Sequence, residues 1–257
     1  MMLTEDRLPF HIPTEKGKVG KYCILPGAPE RVEQIAAMLD HPVFIGRNRE
    51  FTVWNGTLNG ETVTVCSTGI GGPSAAIAAE ELADCGAEVL IRVGTCGGIA
   101  LDVAGNDLVV ATGAVRQDGT SHEYAPPEYP AVPDFGVTAA LIAGAGATGR
   151  RVHAGVVQSK DSFYGQHSPA RMPTAAALAE KWEAWRRLGV LASEMEAAAL
   201  FTVGAARGLR TGAVFHVIWN QERAAAGLDT DADESHDTSA AVRAAVEAIR
   251  KLSEKPD

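Results

Sequence analysis

The chain has 257 residues, of which 46% are hydrophobic and 21% charged, as in a soluble globular protein with one large domain or two small ones. A net charge of −9, from 32 acidic and 23 basic residues, argues against binding to bulk nucleic acid or anionic membranes. No apolar run reaches membrane-spanning length and the N-terminus shows no secretory signal, so we expect a cytoplasmic protein.

Strand and helix patterns alternate along the chain. Apolar and β-branched runs predict strands at residues 22–25, 51–58, 62–66, 89–93, 108–112, 152–158 and 213–219. Helical spacing of apolar residues predicts helices at 32–39, 73–85, 138–145, 175–187, 196–207 and 239–252. The polar, acidic segment 227–237 is interpreted as an exposed loop and a candidate mobile flap.

These patterns predict an α/β fold. Continuous apolar strands between helices are typical of a mixed or parallel sheet with helices on both faces, which gives three α/β/α layers. No compositional break marks a linker, so we expect a single domain over residues 1–257. Residues 144–149 match GxGxxG, but a predicted helix precedes them and a strand follows, which is the reverse of a dinucleotide-binding fingerprint.

The segment Ser193-Glu194-Met195-Glu196, just ahead of an alanine-rich helix, is the first candidate for chemistry. Acidic residues at a helix start usually serve as caps. A carboxylate that stays ionised there can also accept hydrogen bonds from both hydroxyls of a vicinal diol such as ribose. The segment therefore predicts either a capped helix or a ribose site.

Three glycine-rich turns, at residues 26–31, 68–74 and 92–98, follow predicted strands. Such turns let the backbone approach a ligand, and the helices that follow the first two point free amides toward it. Arg31 and Thr95 could add side-chain donors. The four cysteines form no CxxC pair and are expected to be reduced core thiols, with Cys96 nearest to a site.

Arg92 interrupts an otherwise apolar strand. Desolvating a guanidinium is costly unless it is paired, so this residue indicates either a buried ion pair or a bound phosphate, whose geometry suits the donor fork.

Together these residues resemble the uridine phosphorylases, in the trimeric and hexameric branch of the nucleoside phosphorylase superfamily. The resemblance covers residues 11–252 and is carried by the stretches ILPGAPERVEQIA, NREFTVWNG, STGIGGPS, RVGTCGG, RQDGTSHEYAP, KDSFYGQ and SEMEAAALF. It implies a central mixed sheet and reversible phosphorolysis of a nucleoside to ribose 1-phosphate and free base. It also implies a homohexamer built as a trimer of dimers. The resemblance implies no metal or organic cofactor. It implies that inorganic phosphate is a co-substrate.

The resemblance also assigns roles to individual residues. It implies phosphate binding by Gly27, Arg31, Arg92 and Thr95, with Arg49 reaching the phosphate of a neighbouring subunit. It implies ribose binding by Thr95, Glu194, Met195 and Glu196, with His11 crossing a dimer interface to the 5′-hydroxyl. It implies base binding by Cys96, Gly97, Phe163, Gln166, Arg171, Ile218 and Trp219. Arg92, Glu196, Gln166 and Arg171 are the expected catalytic residues, and Glu50, Ile70 and Ser74 match a monovalent-cation site of some relatives.

Two stretches depart from the family pattern. Arg171 follows Gln166 at a longer spacing than in the best-known enterobacterial members, so His167 is an alternative contact to the base. Ile218 and Trp219 replace smaller aliphatic residues.

Asn220 stands where purine-specific relatives carry an aspartate that protonates N7, and an amide cannot act as that acid. A pyrimidine is therefore favoured. The alternatives are a purine nucleoside phosphorylase, a hydrolytic nucleosidase of the same fold, and a non-catalytic nucleoside-binding protein.

Overall fold

A nine-stranded mixed sheet forms the centre of the protein in the computed structural model, which describes residues 9–229 and 234–254. The strands are β1 Tyr22–Pro26, β2 Asp40–Asn48, β3 Phe51–Leu58, β4 Glu61–Cys66, β5 Val89–Gly98, β6 Leu108–Gln117, β7 Val152–Lys160, β8 Ala192–Glu194 and β9 Arg210–Asn220. Their order is β2-β3-β4-β1-β5-β8-β7-β6-β9, with both parallel and antiparallel neighbours, so the predicted mixed sheet is confirmed.

Part of the sheet closes on itself. β5 pairs with β8 and also with β9, and β8, β7, β6 and β9 follow one another by hydrogen bonding. These five strands form a closed ring, while β1 to β4 extend from it as an open sheet. The carboxyl ends of β1, β5 and β9 are brought to the same side because these strands run parallel.

Helices cover the two faces of the sheet. They are α1 Glu30–Ala36, α2 Gly72–Cys85, α3 Thr120–Tyr124, α4 Phe135–Gly146, α5 Phe163–His167, α6 Ala175–Arg187, α7 Ala197–Arg207, α8 Gln221–Ala225 and α9 Ser239–Ser253. The apolar faces of α1, α4 and α9 share one core cluster with β1, β4 and β5, whereas α2 and α7 share a second cluster with β1 and β3. The predicted three layers are confirmed. Among the helices of the described ranges, none combines the length and apolar character that a membrane crossing needs.

Local signals account for most of these elements. Asn59 and Gly60 have φ of 51° and 79°, as the tight hairpin between β3 and β4 requires. The Asp134 side chain accepts a hydrogen bond from the Val137 amide and caps α4, which begins three residues earlier than predicted. Gly208 adopts φ 67° and ends α7.

The sequence did not predict β2. This strand lies at the edge of the sheet, is almost wholly exposed, and contains Pro42 and Gly46, which mask a strand pattern. The predicted helix 32–39 ends at Ala36, and the short helices α3, α5 and α8 have too few residues for helical periodicity to be visible. Residues 230–233 of the predicted loop lie outside the described residues, while 234–237 have no regular structure.

Candidate active site

A cavity of about 780 Å³ opens at the carboxyl ends of β1, β5 and β9. Its lining includes most of the residues singled out in the sequence: Gly27, Arg31, Glu50, Ile70, Arg92, Thr95, Cys96, Gly97, Phe163, His167, Glu194, Met195, Glu196, Ile218 and Trp219. Ligands of open α/β sheets bind at this end of the strands, and the fold therefore gathers turns that are far apart in sequence.

One end of the cavity carries two arginines. Arg92 is buried, and its Nη1 donates to Thr68 Oγ1 at 2.8 Å while its Nη2 donates to a Glu196 carboxylate oxygen at 2.7 Å. Its Nε is buried without a hydrogen-bond partner among the described residues. Arg31 is half-buried, and both burial and the positive charge of Arg92 lower its pKa. Two neighbouring guanidiniums that repel each other would be stabilised by an anion, so this part of the cavity is a candidate anion site and is called the anion-binding end below.

Gly27 permits this arrangement. A Cβ on this residue would lie 3.2 Å from the Gly69 carbonyl oxygen and 3.3 Å from Arg92 Nη2. Either contact is tighter than a side chain normally tolerates. The amide of Gly69 in turn donates to the Gly27 carbonyl at 3.0 Å, which ties the first two glycine-rich turns together.

The two carboxylates before α7 do different work. The Glu194 carboxylate accepts from the amides of Glu196 and Ala197 at 2.8 and 2.9 Å, so it fulfils the capping alternative. Burial and the adjacent charge of Glu196 raise the pKa of Glu194. Both residues line the cavity, but the Glu196 carboxylate accepts from the Gly71 amide at 2.7 Å and from Arg92. The buried ion pair predicted for Arg92 is therefore confirmed, whereas its binding of phosphate stays a prediction.

A β-bulge shapes the opposite end. Along β5 and β9, Cys96 pairs with Val217 and Gly97 pairs with Trp219, so Ile218 has no opposite residue. Side chains normally alternate between the faces of a strand, but a bulge places two consecutive ones on the same side. Ile218 and Trp219 both line the cavity for this reason. Phe163 closes this end from α5, half-exposed and with its ring centroid 4.3 Å from that of His167.

Lys160 and Glu234 also line the cavity, and the sequence did not single them out. Lys160 is buried at the end of β7, and its Nζ donates to Ser193 Oγ at 2.7 Å. Burial lowers its pKa to about 8, although Glu194 and Glu196 partly oppose the shift. A lysine immediately after a buried strand is a weak signal that could have drawn attention to it. Glu234 precedes Ser235, whose amide donates to the Ile218 carbonyl at 3.0 Å, so this part of the predicted flap is held against β9.

Other predicted residues lie outside the cavity. Gln166 lies next to it, in contact with Ser193, and lines an adjoining cavity of about 460 Å³. Arg171 is exposed, with its guanidinium 5.4 Å from the ring centroid of Tyr164, so the structure does not bring it to the base end. His11 binds Glu81 at 2.7 Å, and Arg49 is exposed. Neither lines the cavity of its own subunit.

The candidate cation residues lie close to the anion-binding end. Ser74 Oγ donates to Glu50 Oε1 at 2.9 Å, and a Cβ on Gly69 would lie 3.0 Å from Ser74 Oγ. Ile70 is exposed beside them. The carboxylate and hydroxyl oxygens are thus adjacent, as a monovalent-cation site would require.

Asn220 has a structural position. Its Nδ2 donates to the carbonyls of Ala100 and Val103 at 2.8 and 2.7 Å, and its Oδ1 accepts from the amides of Glu222 and Arg223. Its Oδ1 therefore caps α8 while its Nδ2 ties the start of that helix to the segment after β5, and the residue does not line the cavity. The four cysteines are buried and unbridged, as predicted. Burial raises the pKa of the Cys96 thiol, which is therefore an unreactive part of the wall.

Comparison with known proteins agrees with this geometry. A uridine phosphorylase of Treponema pallidum is 54% identical over 243 residues, covering 95% of this chain and 93% of its own length. A uridine phosphorylase of Escherichia coli is 43% identical over 253 residues, covering 95% and 97%. A guanosine phosphorylase of Halorubrum lacusprofundi is 40% identical over 210 residues, covering 82% and 83%. The family model of the phosphorylase superfamily matches residues 21–254, and the chain belongs to that superfamily.

Proposed function

We propose that this protein cleaves uridine with inorganic phosphate, giving uracil and ribose 1-phosphate. The observation that carries the proposal is the Arg92–Glu196 contact, which joins an anion-binding end to a carboxylate inside one cavity. A phosphorolytic site needs phosphate and a ribose diol side by side. Arg92 supplies a cation for the phosphate, and Glu196 supplies acceptors for the hydroxyls of the diol. Relatives named uridine phosphorylase, alike over nearly the whole chain, favour uridine as the nucleoside.

Phosphate is assigned to the two-arginine end. Arg31 and Arg92 supply guanidinium donors, Thr95 a hydroxyl, and Gly27 the room for close approach. Arg49 of the partner subunit would complete this group.

Ribose is assigned to the centre of the cavity. The Glu196 carboxylate would accept from its hydroxyls, Met195 would pack beneath the ring, and Glu194 would hold the start of α7 in place. Thr95 lies between the phosphate and ribose positions. His11 of the partner subunit would reach the 5′-hydroxyl.

The base is assigned to the end bounded by Phe163 and Trp219, with Cys96, Gly97 and Ile218 along the wall. Gln166 would read the edge of the uracil. Lys160 is placed to stabilise the negative charge that develops on the leaving base, since its ammonium group lies in a buried site where charge is poorly screened. Arg171 could share this role only after leaving the ring of Tyr164.

The proposed reaction is a direct displacement. The bond from the anomeric carbon to the base nitrogen lengthens, the sugar gains oxocarbenium character, and a phosphate oxygen attacks the opposite face with inversion. The electron pair of the broken bond leaves with uracil, where it is delocalised over the ring and its carbonyls. Inorganic phosphate is a co-substrate, and we propose that no metal or organic cofactor takes part; a monovalent cation between Glu50, Ile70 and Ser74 would be structural.

A homohexamer built as a trimer of dimers is proposed for the assembly. The edge strand β2 exposes Val43, Phe44 and Ile45 within a few residues of Arg49. Exposed apolar side chains on an edge strand favour an interface. Because Arg49 and His11 do not line the cavity of their own chain, the same interface would deliver them to a neighbour.

Purine phosphorolysis is the second candidate, favoured by the relative named guanosine phosphorylase. The deciding experiment measures base release from uridine, deoxyuridine, thymidine, inosine and guanosine, each with and without phosphate. Uracil release that requires phosphate supports the proposal. Release without phosphate would indicate a hydrolase, and phosphate-dependent release of hypoxanthine or guanine alone would replace uridine by a purine nucleoside. Arg92→Met is the matched inactive control.

A further inference from the structure

A chain of hydrogen bonds runs from α6 to the base end of the cavity. Trp185 Nε1 donates to Gln117 Oε1 at 3.1 Å, and Gln158 Nε2 donates to the same oxygen at 2.8 Å. The other end of the Gln158 amide, Oε1, lies 2.5 Å from Ser193 Oγ. Gln117 and Gln158 thus connect the indole of Trp185 to a hydroxyl that lines the cavity.

Ser193 Oγ has three polar neighbours. Lys160 Nζ lies 2.7 Å away, Gln158 Oε1 2.5 Å and Gln166 Oε1 2.7 Å. The ammonium group can only donate, so Ser193 accepts from Lys160. The hydroxyl has a single proton, and it can serve only one of the two amide oxygens.

Trp185 decides which oxygen receives that proton. An indole N–H is a donor only, so Gln117 must turn its carbonyl oxygen toward it. The same oxygen then accepts from the Gln158 NH₂ group, which leaves the Gln158 carbonyl facing Ser193. That carbonyl takes the serine proton. Gln166 satisfies every group when its amide is turned by half a turn, because its NH₂ then donates to the remaining lone pair of Ser193.

We infer that Trp185, acting through this chain, fixes the Gln166 amide with its NH₂ on Ser193 and its carbonyl oxygen toward the cavity. The free end of the amide lies 3.9 Å from the position of a Cβ on Gly97, a residue of the base wall. An acceptor at that point suits a base edge with an N–H, such as N3–H of uracil. It rejects cytosine, whose N3 is itself an acceptor. The inference rests on the proposed function in that Gln166 reads the base, and it makes Trp185 a positioning residue for base choice.

The substitution Trp185→Phe keeps the aromatic ring and removes the donor. The reversed chain then costs nothing extra, so both orientations of Gln166 become similarly populated. Uracil binding should weaken only about twofold, because half of the molecules remain competent. Cytosine binding should tighten by roughly 5- to 150-fold, since reversing the chain no longer leaves the part-buried indole donor unpaired. A merely structural role of Trp185 would weaken the binding of both bases.

Two further variants complete the design. Trp182→Phe is the matched control, since this indole lies on the same helix but donates to Glu222 at 2.8 Å and takes no part in the chain. Trp185→Phe combined with Gln117→Glu is the rescue. A carboxylate offers only acceptors, so it turns the Gln158 NH₂ back toward residue 117 and should restore the preference for uracil.

Calorimetric titration of uracil and cytosine into each protein in inorganic phosphate measures the ratio directly. A ratio that collapses in Trp185→Phe, recovers in the double variant and is unchanged in Trp182→Phe supports the inference. An unchanged ratio in Trp185→Phe overturns it, even if the wild-type protein cleaves uridine. Wild-type protein that releases no uracil from uridine overturns the proposed function instead. The binding ratios still test the hydrogen-bond chain in that case, because they need no turnover.

Discussion

The buried pair of Arg92 and Glu196 provides the sharpest test of the site. Their side chains are 7% and 6% exposed, so this is a desolvated ion pair and not a surface one. Removing one partner of such a pair typically costs about 3–5 kcal/mol, because the other charge is left uncompensated. For a domain of this size each kcal/mol shifts the unfolding midpoint by about 2–4 °C. We therefore expect the midpoint of Arg92→Met to fall by about 6–20 °C.

Glu196→Gln should lie at the lower end of that range, since an amide oxygen can still accept from Arg92 or from the Gly71 amide. The double variant should be more stable than the sum of the single losses implies, because neither charge is then left alone. Phosphate distinguishes the partners further. A ligand at 100 times its Kd stabilises by about 2.7 kcal/mol, and Glu196→Gln should show at least the wild-type response, whereas Arg92→Met should show little.

The assay is thermal unfolding of the four proteins at one concentration, with and without phosphate. Losses for Arg92→Met and Glu196→Gln that add within about 0.5 kcal/mol would refute the energetic coupling of the pair. A full phosphate response in Arg92→Met would place the anion elsewhere.

Three further predictions concern individual residues. Because burial lowers the pKa of Lys160 to about 8, kcat/KM for uridine should fall as the pH rises through that value and the ammonium group is lost. Lys160→Arg stays charged and should move this fall to higher pH. The same pH dependence in both proteins would exclude Lys160. Arg49→Ala should weaken phosphate use by roughly tenfold or more, and its co-expression with Arg92→Met should recover activity in mixed oligomers, whereas no recovery would argue against a shared site. Asn220→Asp should lower the free energy of unfolding by about 1–3 kcal/mol, since a carboxylate would face the carbonyls of Ala100 and Val103. The variant should release no hypoxanthine from inosine, and such release would show that residue 220 reaches the base.

Much of the site was predictable because its signals are local. A glycine-rich turn after an apolar strand marks a strand end, and strand ends of a mixed α/β sheet converge. Arg92 stood out because a charge in an apolar strand must be compensated. Sequence could not separate an ion pair from a phosphate site, and the structure shows the ion pair, which lies at the end of the cavity proposed for phosphate.

What escaped prediction depends on packing between distant segments. Lys160 is an ordinary lysine in sequence, and it stands out only because the fold buries it at the end of β7 with its Nζ on Ser193. The pairing of Ile218 and Trp219 on one side depends on a bulge that alternation cannot reveal. Asn220 seemed informative about the base, yet its bonds show a helix cap. The position of Arg171 depends on the course of an exposed segment, and no hydrophobic periodicity predicts that course.

The closed ring of β5, β8, β7, β6 and β9 holds one part of the cavity wall rigidly and leaves the other part free to move. Arg92, Thr95 and Glu194 belong to strands without a free edge within that ring, so their positions are set before any ligand arrives. Phe163 and Glu234 lie on a short helix and a loop outside it, where displacement breaks few ladder hydrogen bonds. On the proposed assignment, phosphate and sugar would meet a preorganised surface, whereas one side of the base would meet a surface that can adapt by induced fit. Base preference can thus diverge through residues 163–171 and 234–237 while the anion-binding end stays unchanged, which would let one scaffold serve different nucleosides.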